Sequence, residues 1–248
     1  MIICKSPAEI EKLRHSGRLV RGLLEEIRER VRPGVSTVEL ERYTEKRLAQ
    51  LGATPAFKGY RGYPCCLCTS VNDEIVHGIP SERRLKEGDI LSVDLGVIVD
   101  GYYGDSAITV PVGRISESTE KLLHVTEEAL ELAIEQTRLG NRLGDISATV
   151  QLHVESNHFS VVREFVGHGI GRDLHEEPQI PNHGQPGHGP LLKEGMVLAI
   201  EPMVNAGAPG MRVLEDHWTA VTTDGGYSAH FEHMVAVTRN GPDVLTRL

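Results

Sequence analysis

The chain predicts an α+β fold of two pseudo-symmetric halves, with helices packed on the outer side of a mostly antiparallel sheet. Three observations carry this. The phrase LKEGDILSVD at residues 85–94 returns as LKEGMVLAIE at residues 192–201, and both copies end on a carboxylate. Upstream, RPGVSTVEL (residues 32–40) has a counterpart in RLGNRLGDI (residues 138–146) at nearly the same offset, as a duplicated unit would. Each half also runs helix, helix, then β-rich segments, the order of a domain with helices layered on a sheet.

The elements follow in order. Ser6-Pro7-Ala8-Glu9 is a capping box with proline at the first helical position. It opens an amphipathic helix with Ile10, Leu13, Val20, Leu23, Leu24 and Ile27 on one face. Ser36-Thr37-Val38-Glu39 starts a second helix, closed near Leu51 by Gly52. Strands are expected over 67–72, 90–99 and 102–110. In the second half helices are expected over 117–136 and 145–157, and strands over 161–165, 196–205, 213–222 and 229–238. No linker divides the halves, so residues 1–248 read as a single catalytic domain with halves of about 1–112 and 113–248.

Composition narrows the function. The formal charge of −9 comes with no basic stripe, which argues against nucleic acid as a partner. No apolar run reaches the about 18 residues of a membrane span. The N-terminal MIICKSPAEIEKLR lacks the layout of a signal peptide, so a cytoplasmic protein is expected. Of the four cysteines, Cys65, Cys66 and Cys68 lie too close together for a disulfide framework, and CCLC has no second ligand pair nearby for zinc.

Duplicated halves packed about a pseudo-twofold axis bring equivalent residues together. The equivalent acids are Asp94 with Glu201, and Asp105 with Glu232, all embedded in β-rich apolar segments. Buried carboxylates must find partners or protonate, and four together repel unless cations sit among them. Two divalent ions would neutralise the four. Histidines add to the set: His168 in EFVGHGIGRDLHEEP, His175 seven residues on, and His77 in NDEIVHGIP, each read as lying in a loop after a strand. An oxygen-rich set with one imidazole suits Mn(II), Fe(II) or Co(II). Two such ions about 3.5–4 Å apart can share a bridging hydroxide as nucleophile.

The pieces SVNDEIVHGIP, SVDLGVIVDGYYGDSA, GHGIGRDLHEEPQIPN, AIEPMVN and HWTAVTTDGGYSAHFEH together resemble the type I methionine aminopeptidases. Their pita-bread fold is shared with prolidase, Xaa-Pro aminopeptidase and creatinase. The resemblance covers nearly the whole chain. It implies metal ligands at Asp94, Asp105, His168, Glu201 and Glu232, with Asp105 and Glu232 bridging two ions. Asp94 would complete one site, and His168 with Glu201 the other. It further implies that His77 and His175 flank the substrate, and that Tyr60, Tyr63, Cys68, His77 and Trp218 form the pocket for the methionine side chain. Glu201 would carry the proton and His175 would support the oxyanion. The implied activity is removal of N-terminal methionine from nascent proteins and peptides whose second residue is small. The implied setting is a monomer that meets its substrate at the ribosome. Leu174 stands where the family commonly has Phe, and CCLC holds more cysteine than the pattern requires.

Overall fold

The computed structural model describes all of residues 1–248. Helix α1 (Pro7–Arg28) begins at the expected capping box, with both reciprocal bonds between Ser6 and Glu9 made. Helix α2 (Thr37–Leu51) ends at Gly52 in the left-handed region, φ 65°. Strands β1 (Thr54–Pro55), β2 (Leu67–Val71) and β3 (Glu74–Val76) follow, with a 3-10 turn over Tyr60–Gly62 between the first two. Strands β4 (Ile90–Val99) and β5 (Tyr102–Pro111) form an unbroken antiparallel hairpin. On the other edge of β4 lie β1 and β2. Helix α1 packs on this hairpin, and the first half's core joins its apolar face to Leu67, Leu91, Val93, Leu95 and Ile108.

The second half repeats the plan. Helices α3 (Glu117–Glu135) and α4 (Leu143–Ser156) precede β6 (Ser160–Val161), β7 (Val166–Gly169) and β8 (Glu176–Pro181). Then come β9 (Val197–Ile200), β10 (Met203–Asn205), β11 (Met211–Val213), β12 (Ala220–Thr222), β13 (Ser228–His230), β14 (His233–Thr238) and β15 (Gly241–Val244). A five-stranded sheet runs β15-β14-β9-β7-β8, with every pairing antiparallel. Beneath α3 and α4 lies a second core that includes Leu130, Ile146, Val150, Leu198 and Val235. The halves join where Glu232 bridges Ala107 of β5 and its N–H donates to the Ala107 carbonyl at 3.0 Å. A third cluster, including Tyr63, Cys68, Leu174, Val197 and Met234, fills this junction.

The helices and the first hairpin fall where the sequence places them. Several strands do not. The expected strand 196–205 is broken at Glu201-Pro202, because proline has no N–H to give a ladder. The expected 229–238 is interrupted at Phe231-Glu232, where the chain crosses to the bridge with Ala107. The expected 213–222 is a hairpin, with Val213 opposite Ala220 and Asp216 accepting the N–H groups of Trp218 and Thr219 at 2.9 Å each. Residues 162–165 are not strand, and His168 lies within β7 rather than in a loop. Its glycine neighbours permit close backbone approach there: a Cβ at Gly167 would stand 2.4 Å from the Ala199 carbonyl oxygen.

Candidate metal centre and substrate pocket

Each carboxylate reaches the site by a strand or a strand break. In the β4–β5 ladder Asp94 faces Ala107 and Asp105 faces Gly96, so the two acids sit two rungs apart. In the second half Glu201 directly follows β9, and Glu232 directly precedes β14. His168 pairs with Ala199 of β9 on one side and Gln179 of β8 on the other.

These side chains converge. Ligand atoms of Asp105, His168 and Glu232 all lie within 4.8 Å of one another. His168 Nε2 is 3.8 Å from Asp105 Oδ2 and 3.5 Å from Glu201 Oε1. His168 Nδ1 lies 3.0 Å from the Gly169 carbonyl, which as an acceptor calls for a proton on Nδ1 and leaves the Nε2 lone pair facing the acids. Burial holds that imidazole neutral, lowering it to about 3, so its contacts with the acids are not ion pairs.

The acids are under the opposite pressure. Burial raises Asp94 to about 7, Glu201 to about 8, and Asp105 and Glu232 well above the usual carboxylate range. The charges of neighbouring carboxylates add to the rise at Asp105 and Glu232, whereas at Asp94 His230 offsets part of it. Asp94 Oδ1, Asp105 Oδ1 and Glu232 Oε1 are buried with no hydrogen-bond donor. Orphaned carboxylate oxygens beside an imidazole lone pair are a costly arrangement for protons alone. They form a donor set fitted to hard or borderline divalent cations.

The site opens on a cavity of about 300 Å³ lined by all the candidate ligand, substrate-flanking and pocket residues named from the sequence. Tyr63 stands edge-on to Trp218 with ring centroids 5.1 Å apart, and its hydroxyl donates to the carbonyls of Leu67 (3.1 Å) and Gly78 (3.0 Å). Cys68, opposite Asp94 in the β2–β4 ladder, is fully sequestered, and burial pushes its thiol well up, so it serves as a neutral wall. His77 follows β3 with φ 61° and packs edge-on against Phe165 (5.2 Å) and Trp218 (6.3 Å). Burial lowers it to about 4. His175 Nδ1 is 2.8 Å from the Tyr60 hydroxyl, and its ring centroid is 4.4 Å from that of His168. Leu174 is buried in the same wall.

Sequence reasoning missed His230. Its Nε2 is 3.5 Å from Glu201 Oε2 and has no hydrogen-bond partner, and the ring lines the cavity. It also missed Phe57, Phe165 and Met203, which extend the apolar wall. The available signal for His230 was its place two residues before Glu232, on the same face of an extended chain.

Comparison with known proteins finds full-length relatives. The chain is 54% identical to methionine aminopeptidase 1 of Bacillus subtilis over 248 residues, the full length of both. A crystal structure of methionine aminopeptidase from Thermotoga maritima superposes with a TM-score of 0.98 at 49% identity, again over all of both chains. Prolidase from Pyrococcus furiosus aligns with a TM-score of 0.81 at 23% identity, over 99% of this chain and 66% of that one, which shows a shared fold. The expected pita-bread architecture is therefore present. The family model for metallopeptidase family M24 matches residues 11–239, and this chain belongs to that family.

Proposed function

We propose that the protein is a methionyl aminopeptidase, hydrolysing the first peptide bond of chains that begin with methionine and continue with a small residue. One observation carries this reading: a pocket walled by Tyr60, Tyr63, Cys68 and Trp218 opens directly onto the cluster of carboxylates. A flexible thioether suits aromatic and sulfur-bearing walls. The full-length likeness to methionine aminopeptidases supports it.

Asp94, Asp105, His168, Glu201 and Glu232 would hold two divalent ions, with Mn(II), Fe(II) and Co(II) the fitting candidates. Such ions, when bound, supply Lewis acidity and a nucleophile at neutral pH. The chain's own residues do the rest. The pocket walls orient the methionine side chain and keep bulk water from it. Glu201 moves a proton from the attacking water to the leaving amine, since an ionised carboxylate beside that water can take the proton and pass it on. His175, held through Nδ1 by Tyr60, directs Nε2 at the developing oxyanion. His77, kept neutral by burial, orients the substrate backbone.

We further assign residues 1–248 to one catalytic domain whose halves meet near residue 112, because the site draws ligands from both. A substrate met during synthesis calls for a cytoplasmic monomer that contacts the ribosome. The test is direct. Protein stripped by chelator and reloaded with Mn(II), Co(II) or Fe(II) is offered peptides headed Met-Gly, Met-Leu and Ala-Pro. Release of methionine from Met-Gly alone, and only with metal, is expected. Cleavage of Ala-Pro instead would move the protein to the proline-specific branch of its family.

A further inference from the structure

The segment preceding α1 is tied to the loop that delivers His175. Lys5 Nζ pairs with the Glu176 carboxylate, and the two side chains are only 4% and 8% exposed. A sequestered ion pair of this kind is tolerated only when further hydrogen bonds satisfy it. Glu176 has them: its Oε1 accepts the N–H of Arg172 at 2.9 Å, folding residues 171–175 back onto the start of β8. The backbone N–H of Lys5 donates to the Gly195 carbonyl at 2.6 Å, which fixes the segment to the rest of the second half. Two glycines make room for it. A Cβ at Gly171 would stand 2.5 Å from Lys5 Nζ, and one at Gly195 would stand 2.5 Å from the Lys5 carbonyl oxygen. A second tie lies alongside, where the Arg172 guanidinium sits 4.6 Å over the Tyr102 ring and 4.0 Å from Glu9 Oε1.

The loop so held has no regular secondary structure of its own. It runs from His168 on β7 to His175, whose ring then meets Tyr60 and His168. We propose that Lys5 is a positioning residue for catalysis: through Glu176 it fixes the 171–175 loop and so places His175 against the reacting carbonyl. Lys5 does not line the cavity and would touch no substrate. The role given to His175 rests on the aminopeptidase reading above. Misplacement of a catalytic group by about 1 Å costs about 10²-fold in favourable cases, so the effect is large enough to read.

Four variants test this: Lys5→Met, Lys5→Arg, Lys5→Met with Glu176→Gln, and Lys5→Met in a His175→Ala background. The double change removes both charges and keeps a folded protein to measure if Lys5→Met alone unfolds. Lys5→Met, or the double change in its place, should lower kcat on a Met-Gly peptide about tenfold and move KM less than about twofold. Lys5→Arg should recover most of the loss. In the His175→Ala background, removing Lys5 should cost nothing further, because its effect passes through that imidazole. An equal loss in both backgrounds overturns the proposal. Hydrogen exchange on metal-free protein gives a readout that needs no activity: the amides of residues 171–175 should exchange faster in the variants while β4 and β14 stay protected. Unchanged exchange in the loop also overturns it. A wild-type protein inert on Met-Gly would instead sink the parent reading and leave the exchange result standing.

Discussion

Asp94 and Glu201, raised by burial to about 7 and about 8, both carry protons in metal-free protein at pH 6. Those protons must leave before the oxygens can serve a cation, so Mn(II) binding should expel protons at pH 6 and fewer at pH 9. Calorimetry in buffers of different ionisation enthalpy reads this, and a heat that does not depend on the buffer at pH 6 contradicts it. The same groups set a stability trend. A raised carboxyl binds more protons folded than unfolded, so its stabilisation is full below the unfolded value and lost as pH rises through the folded one. His77 and His168, lowered to about 4 and about 3, act the other way, but only below about 6.5. The metal-free protein should therefore melt lower at pH 8.5 than at pH 6.5, a trend that scanning calorimetry would expose. Asp105→Ala should abolish methionine release and reduce bound metal; full metal content in that variant would end the bridging role proposed for Asp105. The acids were legible in the sequence because a repeat paired them. His230 was not, because no repeat partner marks it and a single histidine among apolar residues reads as core.

Helices α1 to α3 begin close to where the sequence places them, and α2 and α3 end close to it, because caps and apolar faces are local and the same few residues decide them. The N-cap of α3 offers a clean measure: Ser116 Oγ accepts the Thr119 N–H at 3.2 Å, far from the cavity. Ser116→Ala should lower stability by about 1 kcal/mol in urea unfolding and leave kcat unchanged. Strand ends are set by partners distant in the chain, which explains why β1 and β3 left no readable pattern. Two or three residues cannot show an alternation. Helix α1 meets β5 backbone to backbone at Gly104, where an added Cβ would stand 2.5 Å from the carbonyl of Ser16. Gly104→Ala should destabilise by about 1–3 kcal/mol, since neither backbone can retreat; a urea midpoint equal to wild type would show that α1 can shift freely.

The two halves each enclose a core, and the acids lie where the halves meet. Without cations this junction gathers groups that repel when ionised; with them it becomes a joint. Metal at about 100 times its dissociation constant should stabilise the fold by about 2.7 kcal/mol, and chelator should remove that increment. A melting temperature indifferent to chelator would mean the halves do not depend on the ions. That the chain is a duplicated α+β unit was plain from its own repetition. The pocket was readable only through the family resemblance, because it forms between segments that share no repeat. Strand β12 pairs with β3 of the opposite half, bringing Trp218 beside His77. The stretch between Glu201 and Glu232 that carries β11, β12 and Trp218 has no counterpart of equal length between Asp94 and Asp105. The paired acids thus come from the repeat, while Trp218, one wall of the proposed pocket, comes from a departure from it. A lineage could reshape that one wall through the excursion alone while the paired acids stayed where the repeat puts them.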